Sequence, residues 1–183
     1  MASLACAYLL AAGRGRRAGG PKAWAAHEGR TLLELQTSFL RSRVPAVAVS
    51  IQAEWLERCR SINPDVRWVP VDPDLPPLAS LLELMKALPL TGWTSLHHVD
   101  MPVWEPGLFD ALESAAGEEA VIPVYEGKGG HPVLLSPALA GPLAALDPAK
   151  DRLDLWLKTR KILPVDVPFA CARANWNAGA PRP

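Results

Sequence analysis

Four glycines and a run of basic residues share one short stretch, Leu10-Ala11-Ala12-Gly13-Arg14-Gly15-Arg16-Arg17-Ala18-Gly19-Gly20-Pro21-Lys22. Glycines let backbone approach a ligand closely and can turn successive amide N–H groups into a concave nest for an anion. Arg17 and Lys22 add cationic donors suited to phosphate oxygens. A triphosphate needs such a turn directly after a strand; without a ligand the stretch reads as a flexible basic loop. It matches neither the dinucleotide GxGxxG pattern with its later acidic residue nor the GxxxxGK[ST] loop. A second candidate is Asp100 in Val99-Asp100-Met101-Pro102. A lone carboxylate at a strand end, facing a phosphate loop, suits a hydrated Mg²⁺ completed by substrate oxygens; otherwise Asp100 caps the following turn. A third is Gly127-Lys128-Gly129-Gly130-His131-Pro132, where His131 can donate or accept a hydrogen bond at neutral pH, or simply sit exposed on a hairpin turn. His97 and His98 precede Asp100, but neighbours on a strand point to opposite faces, so at most one faces the site; hydrogen-bonded structural histidines are the expected reading.

The elements that must position these residues follow from hydrophobic period and punctuation. Residues 3–10 read as a buried strand, and Thr31–Arg41 as a helix with Thr31 as N-cap. Further strands are expected at Pro45–Ile51, Val66–Val71, Trp93–Val99, Ala120–Val124 and Val133–Leu135, with an edge strand at Val165–Pro168. Helices are expected at Glu54–Arg60, Leu78–Leu88, Pro106–Ala116, Pro137–Leu146 and Arg152–Thr159, and a frayed tail from Ala178 to Pro183. Strands alternating with helices along the whole chain predict a three-layer α/β sandwich with a mainly parallel sheet. Ligands of such sheets bind beyond the carboxyl ends of the strands, which places the site between residues 11–22 and 100–102.

The chain of 183 residues is the length of one domain, expected to span 1–183, and can bury a core without staples. Nineteen Lys+Arg balance nineteen Asp+Glu, which removes a bulk electrostatic case for binding nucleic acid or a membrane surface. Three scattered cysteines, Cys6, Cys59 and Cys171, form neither a metal knuckle nor a disulfide framework and suit a reducing cytoplasm. No run reaches the ~18–20 apolar residues of a membrane span, and the arginines follow the apolar Leu4–Ala12 rather than precede it, the wrong order for a signal peptide.

The first stretch resembles the A-A-G-x-G/S-x-R-M-G-x-x-K signature of the MobA-like nucleotidyltransferases of molybdenum-cofactor synthesis, whose wider superfamily includes sugar-phosphate and methylerythritol-phosphate nucleotidylyltransferases. Ala11, Ala12, Gly13, Gly15, Arg17, Gly19 and Lys22 match, and Ala18 replaces the usual Met or Phe. Asp100-Met101-Pro102 resembles the family's Asp-x-Pro motif, whose Asp holds magnesium. Gly130 and His131 resemble the Gly-His-Pro stretch near the acceptor. Ser80 stands in the segment that meets base and ribose in relatives, although Pro76-Pro77-Leu78-Ala79 replaces the glycines there. In the tail Asn177 aligns with a metal-completing Asn or Asp, but Ala178-Gly179-Ala180-Pro181 replaces the family's Thr-Pro-Glu-Asp.

The resemblance implies a Rossmann-like nucleotidyltransferase fold and a Mg²⁺-dependent enzyme. Such an enzyme moves a nucleoside monophosphate from an NTP, CTP or GTP, to a molybdopterin-type or sugar- or alditol-phosphate acceptor and releases pyrophosphate. Arg17, Lys22 and Asp100 would be its catalytic residues. The degenerate tail keeps a second reading, a binding protein with an intact nucleotide cradle and no turnover. A sugar-nucleotide-dependent glycosyltransferase shares the layered fold but usually carries Asp-x-Asp.

Overall fold

A computed structural model describes residues 3–16, 19–101, 104–177 and 180–182; of Asn177 and residues 180–182 it describes the backbone. The strands are β1 (Cys6–Leu10), β2 (Ala26–His27), β3 (Arg30–Thr31), β4 (Ala46–Ile51), β5 (Arg67–Pro70) and β6 (Thr94–His98), followed by β7 (Ala120–Tyr125), β8 (Lys128–Gly129), β9 (Val133–Leu135), β10 (Ile162–Asp166), β11 (Asn175–Asn177) and β12 (Ala180–Arg182). The helices are α1 (Leu32–Arg43), α2 (Leu56–Ile62), α3 (Pro77–Ala87), α4 (Pro106–Ser114), α5 (Ala140–Ala144) and α6 (Leu153–Leu157).

The main sheet runs β10-β7-β9-β6-β1-β4-β5, with β8 paired to β7. Strand β1 lies in the middle, parallel to β4 and β6, with Leu10 level with Ser50 on one side and His98 on the other. Strand β9 is antiparallel to both β6 and β7, so the sheet is mixed but mainly parallel.

Alternation along the central strands fills two cores. Ala7 and Leu9 of β1, with Val47, Val49 and Ile51 of β4, pack against Leu32, Leu33 and Leu40 of α1 and Leu108, Phe109 and Leu112 of α4. Cys6, Tyr8 and Leu10, with Ala48, face Leu78, Leu81 and Leu84 of α3, Leu143 of α5 and Leu157 of α6. A strand buried on both faces reads as a continuous apolar run for this reason. Helix α1 starts where expected: Thr31 Oγ1 accepts from Glu34 N–H while the Glu34 carboxylate accepts from Thr31 N–H, a reciprocal capping box.

Three expectations are corrected. Pro137–Leu146 is not one helix but a 3-10 turn, Pro137–Leu139, followed by the short α5. Pro142 has no N–H to give the Ala138 carbonyl, and its ring crowds that carbonyl, so the α-helix begins only at Ala140 and takes Pro142 into its first turn, where no N–H is needed. The edge strand begins at Ile162 and ends at Asp166 rather than spanning Val165–Pro168, because its register is set by pairing with β7 from Ala120 to Val124. Within the tail, residues 180–182 are paired with β11, while Ala178, Gly179 and Pro183 lie outside the described residues. The hairpin of β2 and β3 was not expected; two-residue strands leave no period to read.

Candidate active site

At the carboxyl end of β1 a cleft of about 880 Å³ opens between the two loops expected to flank the site. It is lined by Ala12, Gly13, Arg14, Gly15 and Arg16 of the glycine loop, by Lys22, and by His98, Val99 and Asp100 at the end of β6. The loop after β5 supplies Pro73, Asp74 and Leu75, α3 supplies Pro77 and Ser80, and β11 supplies Asn175. The volume is that of a small-molecule site.

The glycine loop leaves β1 under control of β4. Ala11 N–H donates to the Ser50 carbonyl at 3.1 Å, and Gln52 Nε2 donates to the Ala12 carbonyl at 2.9 Å. Gly15 has φ +61°, and a Cβ there would fall into the Gly20 carbonyl, whose residue donates its N–H back to Gly15 at 3.2 Å. Only glycine closes this turn. Lys22 begins a 3-10 turn, Lys22–Trp24, whose Ala23 is fully buried and whose Trp24 ring carries the Arg58 guanidinium at 3.7 Å. The backbone under Lys22 is therefore fixed by packing.

Opposite Lys22 stands Asp100. Lys22 Nζ donates to Asp100 Oδ2 at 2.6 Å and to Asn175 Oδ1 at 3.4 Å. Two elements hold the Asp100 turn. From below, Gln36 of α1, fully buried, donates through Nε2 to the carbonyls of His98, Val99 and Met101 at 3.2, 3.1 and 2.8 Å. From the tail, Trp176 N–H donates to the Asp100 carbonyl at 2.6 Å, and the Trp176 ring meets His27 edge-on at 4.9 Å. Lys22, Asp100 and Asn175 are separated by 78 and 75 positions in the chain and meet only here.

The rim is cationic but tied. Arg14 Nε and Nη2 donate to Asp74 at 2.8 and 2.6 Å, and Arg16 Nη2 donates to the same carboxylate at 2.9 Å. The Arg14 hydrogen bonds hold the Asp74 carboxyl below the usual range. Phosphate oxygens entering the cleft would compete with Asp74 for two guanidinium groups.

The histidines divide between the faces of β6, as the strand period requires. His97 is fully buried against Phe109, ring centroids 5.5 Å apart. Neither of its ring nitrogens has a hydrogen-bond partner among the described residues, so it is structural but not hydrogen-bonded as expected. Burial pushes its pKa down to about 3. His98 lines the cleft, with its pKa lowered by burial first, Asp100 acting in the opposite sense. His131 meets the His98 ring edge-on at 5.2 Å, and burial lowers its pKa to about 4.

The sequence candidates are thus sorted by position. Lys22, Asp100, Ala12, Gly13, Gly15 and Ser80 all line the cleft. Ala11 is buried beneath it, and Gly19 gives the loop a left-handed residue at φ +78°. Gly130 and His131 stand behind His98 rather than in the lining; a Cβ on Gly130 would fall into the Ala172 carbonyl. Arg17 and Pro102 lie outside the described residues, as does the side chain of Asn177. Asn175, Gln36 and His98 escaped sequence reasoning as parts of the site. Asn175 had a signal, the Asn-x-Asn spacing in the tail; a glutamine in mid-helix has none.

The family model described as MobA-like NTP transferase domain matches residues 7–163. No curated protein matches the sequence. Three solved structures illustrate the likeness in fold. A nucleotidyl transferase from Methanothermobacter superposes with a TM-score of 0.74 at 23% identity, covering 96% of this chain and 92% of that one. Rv0371c of Mycobacterium tuberculosis in complex with manganese gives 0.67 at 19% identity, over 90% and 89%. Molybdopterin-guanine dinucleotide biosynthesis protein A from Archaeoglobus fulgidus gives 0.67 at 18%, over 88% and 83%. At these identities the likeness establishes a Rossmann-like α/β nucleotidyltransferase fold.

Proposed function

The chain belongs to the MobA-like NTP transferase family, and we propose that it transfers a nucleoside monophosphate from an NTP to a phosphorylated acceptor with release of pyrophosphate. The observation that carries the reading is the Lys22–Asp100 pair in a cleft that the glycine loop also lines. The family of NTP transferases supports the reaction class. CTP or GTP as donor, and a molybdopterin-type or sugar- or alditol-phosphate as acceptor, are the substrates the family resemblance implies.

The chemistry joins an acceptor phosphate oxygen to the donor's α-phosphorus and breaks the bond from that phosphorus to the pyrophosphate oxygen. An acceptor phosphate is already ionised and needs little base catalysis, so positioning and charge stabilisation supply the rate. The amides of the glycine loop cradle the phosphates. Lys22, with Arg17, neutralises the charge that grows on the departing pyrophosphate. His98, kept neutral by burial, offers a hydrogen bond rather than a charge to what lies beside Asp100.

The donor set fits Mg²⁺. Asp100 and Asn175 bring hard oxygen donors to one corner, and among the described residues no group of three or more His, Cys, Asp or Glu could hold a metal unaided. Mg²⁺ commonly takes one or two carboxylates and leaves its remaining positions to phosphate and water. When bound, the cation would polarise the phosphoryl oxygens. Asp100 would hold it, with Asn177, two residues beyond Asn175, as the second ligand. Binding then requires Asp100 to exchange Lys22 for the cation as Lys22 turns to phosphate. The manganese complex of Rv0371c is consistent with a divalent cation in this fold.

Thermal melting against ATP, CTP, GTP and UTP, with and without Mg²⁺, tests the reading. A ligand at 100 times its Kd adds ~2.7 kcal/mol, a rise of several degrees in a domain of this size. The rise should need Mg²⁺ and disappear in Asp100→Ala. Lys22→Ala should lose more than tenfold in pyrophosphate release; a smaller loss overturns the mechanism. Binding without pyrophosphate release from any acceptor class would establish the cradle alone, the reading that the replaced tail motif favours.

A further inference from the structure

Each Lys and Arg described in the lining of the cleft donates to a carboxylate from another loop. Lys22 donates to Asp100, and Arg14 and Arg16 donate to Asp74. The two carboxylates differ in what becomes of them when an anion enters. Asp100 has a second partner to turn to, the cation of the proposed reaction. Asp74 has none: among the described residues its carboxylate accepts from Arg14 and Arg16 and from nothing else.

The geometry of this bridge is specific. Arg14 meets Asp74 fork to fork, Nε to Oδ1 at 2.8 Å and Nη2 to Oδ2 at 2.6 Å, and Arg16 Nη2 adds a bond to Oδ1 at 2.9 Å. Exposed ion pairs contribute measurably when the geometry is bidentate or several charges form a network, and this bridge is both. A stiff turn presents the carboxylate. Asp74 N–H donates to Asp72 Oδ1 at 2.9 Å, Leu75 N–H donates to the Asp72 carbonyl at 3.3 Å, and Pro73 and Pro76 restrict the backbone on either side. Val71 N–H, donating to the Ile51 carbonyl at 2.9 Å, ties the start of this turn to the sheet. The arginines in turn flank Gly15, whose tight turn belongs to the loop that would cradle phosphate. Asp74 thus joins the loop after β5 to the glycine loop.

A guanidinium fork fits phosphate as it fits carboxylate. A polyphosphate lying on the glycine loop therefore reaches Arg14 and Arg16 only by displacing Asp74. Resting on the proposed function, we propose that Asp74 is a resident counter-anion of the donor site, which competes with the donor's phosphates for Arg14 and Arg16. It occupies both arginines while the cleft is empty, yields them to the incoming NTP, and takes them back as pyrophosphate leaves. It weakens the binding of donor and pyrophosphate alike.

The test is calorimetric titration of the full chain with tripolyphosphate and with pyrophosphate, each with Mg²⁺. Four proteins are compared: the parent, Asp74→Asn, Arg14→Gln with Arg16→Gln, and all three changes together. Asparagine keeps the size of the side chain and leaves the turn intact, because the turn is closed by backbone N–H groups and Asp72. Asp74→Asn should bind both ligands more tightly, by about 2- to 30-fold, the range spanned by two exposed pairs. Loss of the two arginines should weaken both ligands, and in that background Asp74→Asn should change binding by about twofold or less. Unchanged or weaker binding by Asp74→Asn overturns the inference and leaves the proposed function standing. So do an arginine variant that binds as the parent does, and an equal tightening without the arginines, which would be a plain loss of charge. Tightening of tripolyphosphate alone overturns the return of the arginines to Asp74 as pyrophosphate leaves. No binding of either ligand by any of the four proteins overturns the proposed function, and this inference with it.

Discussion

Replacing Gln36 with leucine removes the side chain that ties helix α1 to the turn carrying Asp100. The shapes are similar, so the change is one of hydrogen bonding. Gln36 Nε2 serves three carbonyls. That of His98 also receives Met101 N–H at 3.0 Å and keeps a donor. The carbonyls of Val99 and Met101 lose theirs, at ~1–3 kcal/mol for each buried group left unpaired. Part of this returns, because Gln36 Oε1 is itself buried with no partner among the described residues and is removed with the side chain. The net loss is about 2 kcal/mol, which lowers the melting temperature by ~4–8 °C at roughly 2–4 °C per kcal/mol. The site should respond as well, since the turn loses its tie to α1 and keeps the Trp176 N–H bond to the Asp100 carbonyl and the Val99 N–H bond to the Leu10 carbonyl. Scanning calorimetry measures the first effect; the second is read from the Mg²⁺ concentration needed to half-saturate nucleotide binding, which should rise. An unchanged melting temperature refutes the hydrogen-bond account. A lowered one with unchanged Mg²⁺ dependence refutes the claim that Gln36 positions Asp100.

Two further outcomes follow from other parts of the molecule. His97 and His131 have folded pKa values of about 3 and about 4, below the usual 6.5. Their neutral forms are favoured by folding, so stability is full above pH 6.5 and falls as pH drops towards those values. At pH 5 each should have cost about 2 kcal/mol, from 1.36 kcal/mol per unit; denaturant melts between pH 7 and 5 measure this, and His97→Phe should flatten the slope. Gly15→Ala places a Cβ in the Gly20 carbonyl at φ +61°, so NTP-dependent stabilisation should vanish while the far-UV circular dichroism stays that of the parent; retained binding would show that the turn does not cradle phosphate.

The roles proposed for residues 11–22 and for Asp100 were read from residue type. Glycines at close-approach positions, a lysine at the end of the loop and a lone Asp at a strand end are local requirements, and local requirements are written in consecutive residues. The same holds for the capping box of Thr31 and Glu34, and for the apolar runs of β1 and β4, buried on both faces. The proline at 142 was equally legible and was outweighed by the apolar spacing around it, which packing satisfies with a broken helix. Gln36 and His98 could not be recognised that way. A buried glutamine looks like an exposed one until the turn it serves is folded beneath it. Of two adjacent histidines, only the sheet decides that His97 meets Phe109 and His98 the cleft.

By itself, then, the sequence determined the alternation of strands and helices, the glycine-rich loop after β1 and the candidate residues Lys22 and Asp100, because each is set within a few bonds of backbone. The tertiary structure alone decided that Lys22, Asp100 and Asn175 share a corner and that two arginines are held by Asp74. These are pairings between segments distant in sequence, and which pairs form depends on the register of β1 between β4 and β6 rather than on any residue read alone.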